Sequence, residues 1–231
     1  TQAGTYSVAL YCESSSHIYE GAATFTIAKK ALSLSGATAE GRPYQAGNTN
    51  VTITAVSFNE SAPLPTLGSG FTASGKIAYE DAGRNKTVTV RVTLIDPNYS
   101  LAVKTTSTTV DISKLPAGSI ANQSVSYIEG ESGKRTFDFA PLIPAGHSVS
   151  AVSYGYPTNL DVLTFLASPT NLTTVEYKLT GTAAAGASCT IPITYTFYNH
   201  TSVQVELTVN IVAGAPQTVT FAQAGPVAKT Y

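Results

Sequence analysis

Three histidines, His17, His147 and His200, are the side chains best suited to shuttle a proton near neutral pH, and each falls in a predicted turn. None stands beside a G-x-S-x-G elbow or another nucleophile pattern, so triad hydrolysis has no support and solvated turn residues account for them better. Calcium would need clustered carboxylates of the D-x-D-x-D kind. The nearest candidates, Glu80-Asp81 and the Glu129/Glu131 pair, are short acidic pairs that read as loop charges. No C-x-x-C or H-x-x-x-H occurs, which removes the usual zinc spacings. The expectation is a non-enzyme: no catalytic residue, no metal and no cofactor.

Two other patterns could bind or link. Tyr154 and Tyr156 flank Gly155 just before Pro157, and exposed aromatic faces in such loops can stack on sugar rings. Against this, the chain has no Trp, and tyrosines at strand ends commonly lay their rings over a core edge. A sugar-binding module would be retained on a glycan, and Tyr156→Ala would abolish that retention. Lys178 lies two residues from Glu176 on one strand face, a Lys and a carboxylate such as a Lys–Asn isopeptide bond uses, but no asparagine can be assigned opposite it, and a plain cross-strand ion pair, or no link at all, is the better reading. Asn50, Asn59, Asn85, Asn98, Asn122, Asn171 and Asn199 each head an N-x-S/T triplet. Glycosylation is one reading; asparagines in turns ahead of Thr-rich strands give the same triplets unmodified.

The elements that must carry these residues are strands. Charged residues are only 12% of 231 positions, against about a quarter in an ordinary domain. Ser, Thr, Asn and Gln therefore make the polar faces, which suits period-2 patterns. A hydrophobic fraction of 43% argues against disorder. A net charge of -1 is no field for gathering phosphates, so nucleic acid is not an expected partner. No apolar run approaches the roughly 20 residues of a membrane span. With no Met and no leader pattern at Thr1, the chain reads as a fragment. Cys12 alternates in register with Tyr6, Val8 and Leu10, and Cys189 with Ile191, Ile193, Tyr195 and Phe197, so both are expected to be buried, unbridged thiols.

One outline occurs twice. Residues 82–114 hold two alternating runs joined by a turn at Asp96-Pro97-Asn98, and residues 3–29 repeat the plan: Ala-Gly opens, a period-2 run follows, Tyr19 or Tyr99 enters the second strand, and T-x-x-Ile-x-Lys closes. This predicts an all-β chain of tandem immunoglobulin-like β-sandwich domains in an elongated arrangement. Residues 1–30 are the C-terminal hairpin of a truncated repeat. Residues 31–113 are a complete repeat, with Val51, Ile53 and Ala55 facing inward and single strands over 87–95 and 101–112. Residues 114–214 are a second, Ig-like or cadherin-like sandwich with strands near 124–128, 136–139, 149–154, 163–166, 175–180, 189–198 and 203–212. A short helical turn over 159–166 competes with the strand there. Residues 215–231 open a further repeat.

The motifs GRPYQAGNTNVTIT, AYEDAGRNKTVTVRVTLIDPNYSL and T-x-T-V-D-I-S-K resemble the bacterial cell-surface repeats known for a Tyr-Asp-Gly signature, and residues 1–30 resemble the related MBG-type repeats. Gln45-Ala46 stands where that family has Asp-Gly. The resemblance covers residues 1–113 and the C-terminal tail. It implies Ig-like sandwiches on a large exported protein, extracellular at the cell surface or cell wall, whose partners are neighbouring repeats and, beyond them, host or cell-surface proteins or glycans. It implies no catalytic residue.

Overall fold

The computed structural model describes residues 2–166 and 171–216 and is all-β; the strand expected at the start of the C-terminal tail lies largely outside those residues. The chain divides into two compact units, Thr1–Leu115 and Pro116–Tyr231. Among the described residues no helix is long and apolar enough to cross a membrane.

Unit 1 begins with β1 (Gly4–Glu13) and β2 (Ile18–Ile27), an antiparallel ribbon running from Gly4 opposite Ile27 to Glu13 opposite Ile18. Then follow β3 (Lys30–Leu32), β4 (Leu34–Ala39), β5 (Arg42–Pro43), β6 (Asn50–Val51), β7 (Ile53–Phe58), β8 (Phe71–Ile77), β9 (Gly83–Leu94), β10 (Tyr99–Leu101) and β11 (Thr105–Ser113). One sheet has the order β5-β11-β9-β8-β6; β4 pairs with β7, and β10 runs parallel to β3. The alternation of β9 sets its inner face. Val88, Val90 and Val92 are fully buried while Thr89 and Arg91 between them are exposed. Across the core lie Leu32, Ile53 and, from β4 and β7, Ala37, Val56 and Phe58.

Three expectations fail in unit 1. The strand expected over 101–112 breaks at residues 102–104, because β10 leaves the β9–β11 ladder to pair with β3. Ala55 is exposed, since Thr38–Ala39 and Leu34–Gly36 shift the β4–β7 register and end strict alternation after Ile53. Cys12 is exposed rather than buried, because no second layer among the described residues covers the β1–β2 ribbon.

Unit 2 has two sheets around one core. β12 (Gln123–Ile128), β18 (Val203–Val212), β17 (Ser188–Phe197) and β14 (Val149–Tyr154) make the first, in that order; β13 (Ser132–Asp138), β16 (Thr174–Thr180) and β15 (Leu163–Phe165) make the second. β17 supplies Cys189, Ile191, Ile193, Tyr195 and Phe197 inward, and β16 answers with Val175, Tyr177 and Leu179. The competing helical turn over 159–166 gives way to β15, where Leu163 is buried against Leu179 of β16. A 3-10 turn, Ala140–Leu142, forms at Pro141 instead.

Candidate functional site

Pro192 organises an aromatic cleft in unit 2. β14 pairs with β17 only as far as Tyr154 opposite Ile193, so the missing N–H of Pro192 falls just past the end of β14. The Gly155 N–H then donates to the Pro192 carbonyl at 2.8 Å. A Cβ on Gly155 would stand 3.0 Å from the Pro192 Cβ, so glycine is the residue that lets the chain turn away here. The turn throws Tyr156 into solvent, 91% exposed.

The cleft beside it encloses about 300 Å³ between Tyr154, Tyr156, Pro157, Leu160 and Phe165. The two tyrosines serve differently. Tyr154 lies against Phe165 at 4.7 Å between ring centroids, its hydroxyl buried without a hydrogen-bond partner, so its ring forms the cleft wall. Tyr156 alone presents a free face. Thr164 is the other lining residue with a side-chain hydroxyl. Apolar walls with so few hydrogen-bonding groups suit an apolar side chain or one sugar face better than a polyol bound edge-on. A second groove, about 310 Å³, gathers Lys29, Arg91 and Lys104 around Tyr99 with no acidic residue in its lining. All three cations are exposed, where salt screens them.

The remaining chemistry-bearing residues are scattered. His17 meets Ser16 Oγ at 2.9 Å in the exposed tip of the β1–β2 ribbon, with no acidic partner among the described residues. His147 and His200 are not free turn residues: their rings stack at 3.7 Å, and His147 also meets Phe197 edge-on at 5.2 Å. Burial, then the His147 ring, holds the His200 imidazole below its usual range. Glu131 closes a turn, accepting the Ile128 N–H at 2.9 Å and pairing with Arg135 at 3.0 Å; the Ile128 bond and then Arg135 hold its carboxyl below the ordinary range. Lys178 is exposed and has Lys134 and Thr164 as cross-strand neighbours, so no asparagine stands opposite it. Glu176 pairs instead with Lys134 at 2.8 Å. No group of three or more His, Cys, Asp or Glu side chains could hold a metal among the described residues.

Alternation set Tyr195 on the inner face of its strand, but gave no sign of what the hydroxyls of the inner tyrosines meet. The Tyr127 and Tyr177 hydroxyls share a hydrogen bond at 2.8 Å, and the Tyr195 hydroxyl is buried without a partner. Burial pushes the Tyr154 phenol up to about 12, with Glu176 adding to it, and raises Tyr177 and Tyr195 further. A phenol whose folded pKa exceeds its unfolded value supports the fold below that unfolded value, about 10, and the support is lost as pH rises through the folded pKa. Titration at 295 nm should therefore show a delayed phenolate step that coincides with unfolding of unit 2 by circular dichroism. Tyr177→Phe and Tyr195→Phe should each shrink it. Full phenolate absorbance with the strand signal intact would contradict this.

No protein-family model matches the chain, and no curated protein matches it. Among solved structures it is similar to a variant of the endo-fucoidan hydrolase MfFcnA4 from glycoside hydrolase family 107, with a TM-score of 0.29, 11% identity, and coverage of 93% of this chain and 35% of that one. It is also similar to domains 4 and 5 of the S-layer protein SbsC, with a TM-score of 0.27, 18% identity, and coverage of 71% and 90%. The chain thus spans about a third of the length of the hydrolase. Likeness this slight carries no argument about activity or assembly.

Proposed function

We propose that this chain is a non-catalytic structural or adhesive segment of a large bacterial cell-surface or secreted protein, a spacer or interaction stalk built from tandem Ig-like β-sandwich units in an elongated arrangement. The observation that carries the reading is the pair of separate cores: Leu32, Val88, Val90 and Val92 close one unit, and Leu163, Tyr177, Ile191 and Leu207 close the other. Ordered units joined by a short Leu115-Pro116 link, with surfaces polar through Ser and Thr rather than charge, are what a spacer needs. The motif resemblance of residues 1–113 supports the bacterial, extracellular assignment and names neighbouring repeats as the first partners.

The test is small-angle scattering. A compact globule of this length would have a radius of gyration of about 17 Å. A clearly larger value is expected, and about 20 Å or less would overturn the spacer reading. The second reading, a sugar-binding accessory module of a glycan-active protein, is favoured by one observation, the bare Tyr156 ring over its cleft. It ranks lower because Tyr154, its intended companion, is turned into the wall.

A further inference from the structure

The β1–β2 ribbon is a strand pair with a core face and no core. A lone hairpin is marginal in water, and this one exposes Val8 (44%), Leu10 (56%) and Phe25 (48%). Its register can be laid on the β9–β11 pair. Gly4 opposes Ile27 as Gly83 opposes Ile112, and Tyr6 opposes Phe25 as Lys86 opposes Val110, after a one-residue bulge in β9. Val8, Leu10 and Cys12 thereby fall on Val88, Val90 and Val92, which are fully buried. The same molecule therefore displays what such a hairpin packs against. β8 pairs antiparallel along the outer edge of β9, from Phe71 opposite Leu94 to Ile77 opposite Val88. β4 and β7 cover its face with Ala37, Val56 and Phe58.

We propose that β1–β2 is a docking element for a β unit of the residues 31–113 type that lacks its own closing hairpin. The partner presents a strand with the alternation of β8 to the bare edge of β1, and a two-stranded apolar layer to Val8, Leu10, Cys12 and Phe25. Chemistry of the edge agrees. β1 contains no Lys, Arg or Pro, the residues by which sheet edges are normally protected from strand addition, and its one charge, Glu13, sits at the tip. A second copy of this chain is the poorer occupant, because its own β8 already lies between β6 and β9 and has no free edge for β1. The docking rests on the tandem-unit reading, but scattering on the unaltered chain tests that reading separately.

The experiment places a copy of residues 31–81 directly before Ala3, so that Ala3-Gly4 follows Asp81 as Ala82-Gly83 does within the chain. The probe is the alkylation rate of Cys12, exposed in the chain alone, with buried Cys189 as the internal reference. In the unextended chain Cys12 should react at the rate of a free thiol at every protein concentration. In the extended chain it should slow by about tenfold or more as the site becomes one that opens only transiently, and Leu10→Asp in β1 of that extended chain should restore the rate. An unchanged rate in the extended chain would overturn the docking. So would concentration-dependent slowing in the unextended chain with a doubled sedimentation mass, which would make a second copy the occupant.

Discussion

Replacing Phe139 with alanine is expected to cost unit 2 about 3–5 kcal/mol while leaving unit 1 untouched. Phe139 is fully buried where β13 ends, packed edge-on against Phe137 at 4.8 Å and beside Tyr195 at 5.8 Å. Its backbone also closes the turn that follows: the N–H donates to the Thr173 carbonyl at 2.9 Å, and its carbonyl accepts from the Leu142 N–H at 2.8 Å. Those bonds hold the residue in place, so the site cannot collapse around the lost ring and the cavity term should be near its upper range. Domains are typically stable by about 5–15 kcal/mol, so about a fifth or more of unit 2's stability is at stake. Amide exchange separates the units. Protection at Leu207 and Val209 should fall by roughly a hundredfold to several thousandfold, with Val88 and Val90 unchanged. Equal losses in both sets would mean that the two cores unfold as one, against the independence the spacer reading requires.

Much of the strand plan was legible because alternation survives wherever one face is buried. Residues 149–154 and 203–212 come out with both ends as expected, and 189–198 within one residue at each end. Each of these strands holds a run of apolar positions at period two beside a proline or glycine stop. What pattern could not show is which faces find a partner. Cys12 alternates as well as Cys189 does, yet only Cys189 has a second sheet above it. The break at residues 102–104 was hidden for a related reason. Three residues of parallel pairing between β10 and β3 join positions some 69 apart, from Tyr99 to Lys30, and leave no local signature. The tyrosine pair about Gly155 was visible as residues but not as roles, since burial of Tyr154 depends on β15 and Phe165 arriving from another sheet.

The equivalence of the two hairpins makes the second large prediction a paired one, because the same substitution at matching positions should have opposite outcomes. Val90→Asp puts a carboxylate at a fully buried site between Thr106 of β11 and Gly75 of β8. There is no room to relax: a Cβ at Gly75 would already lie 2.6 Å from Ile53 Cδ1, and the nearest cation along β9, Arg91, points to the exposed face. The new group must either stay charged without a partner or take up a proton at neutral pH, and such substitutions cost about 4–5 kcal/mol or more. Unit 1 should then melt far below unit 2, or be unfolded at 25 °C, with Val209 protection unaltered. Leu10→Asp, one hairpin earlier, meets open solvent and should shift unit 1 by no more than about 0.5 kcal/mol. If Leu10→Asp instead melts unit 1 as Val90→Asp does, the ribbon is already part of that core. The exposed face then belongs to no further unit, and the repeat seen in the sequence has no counterpart in how the chain is held together.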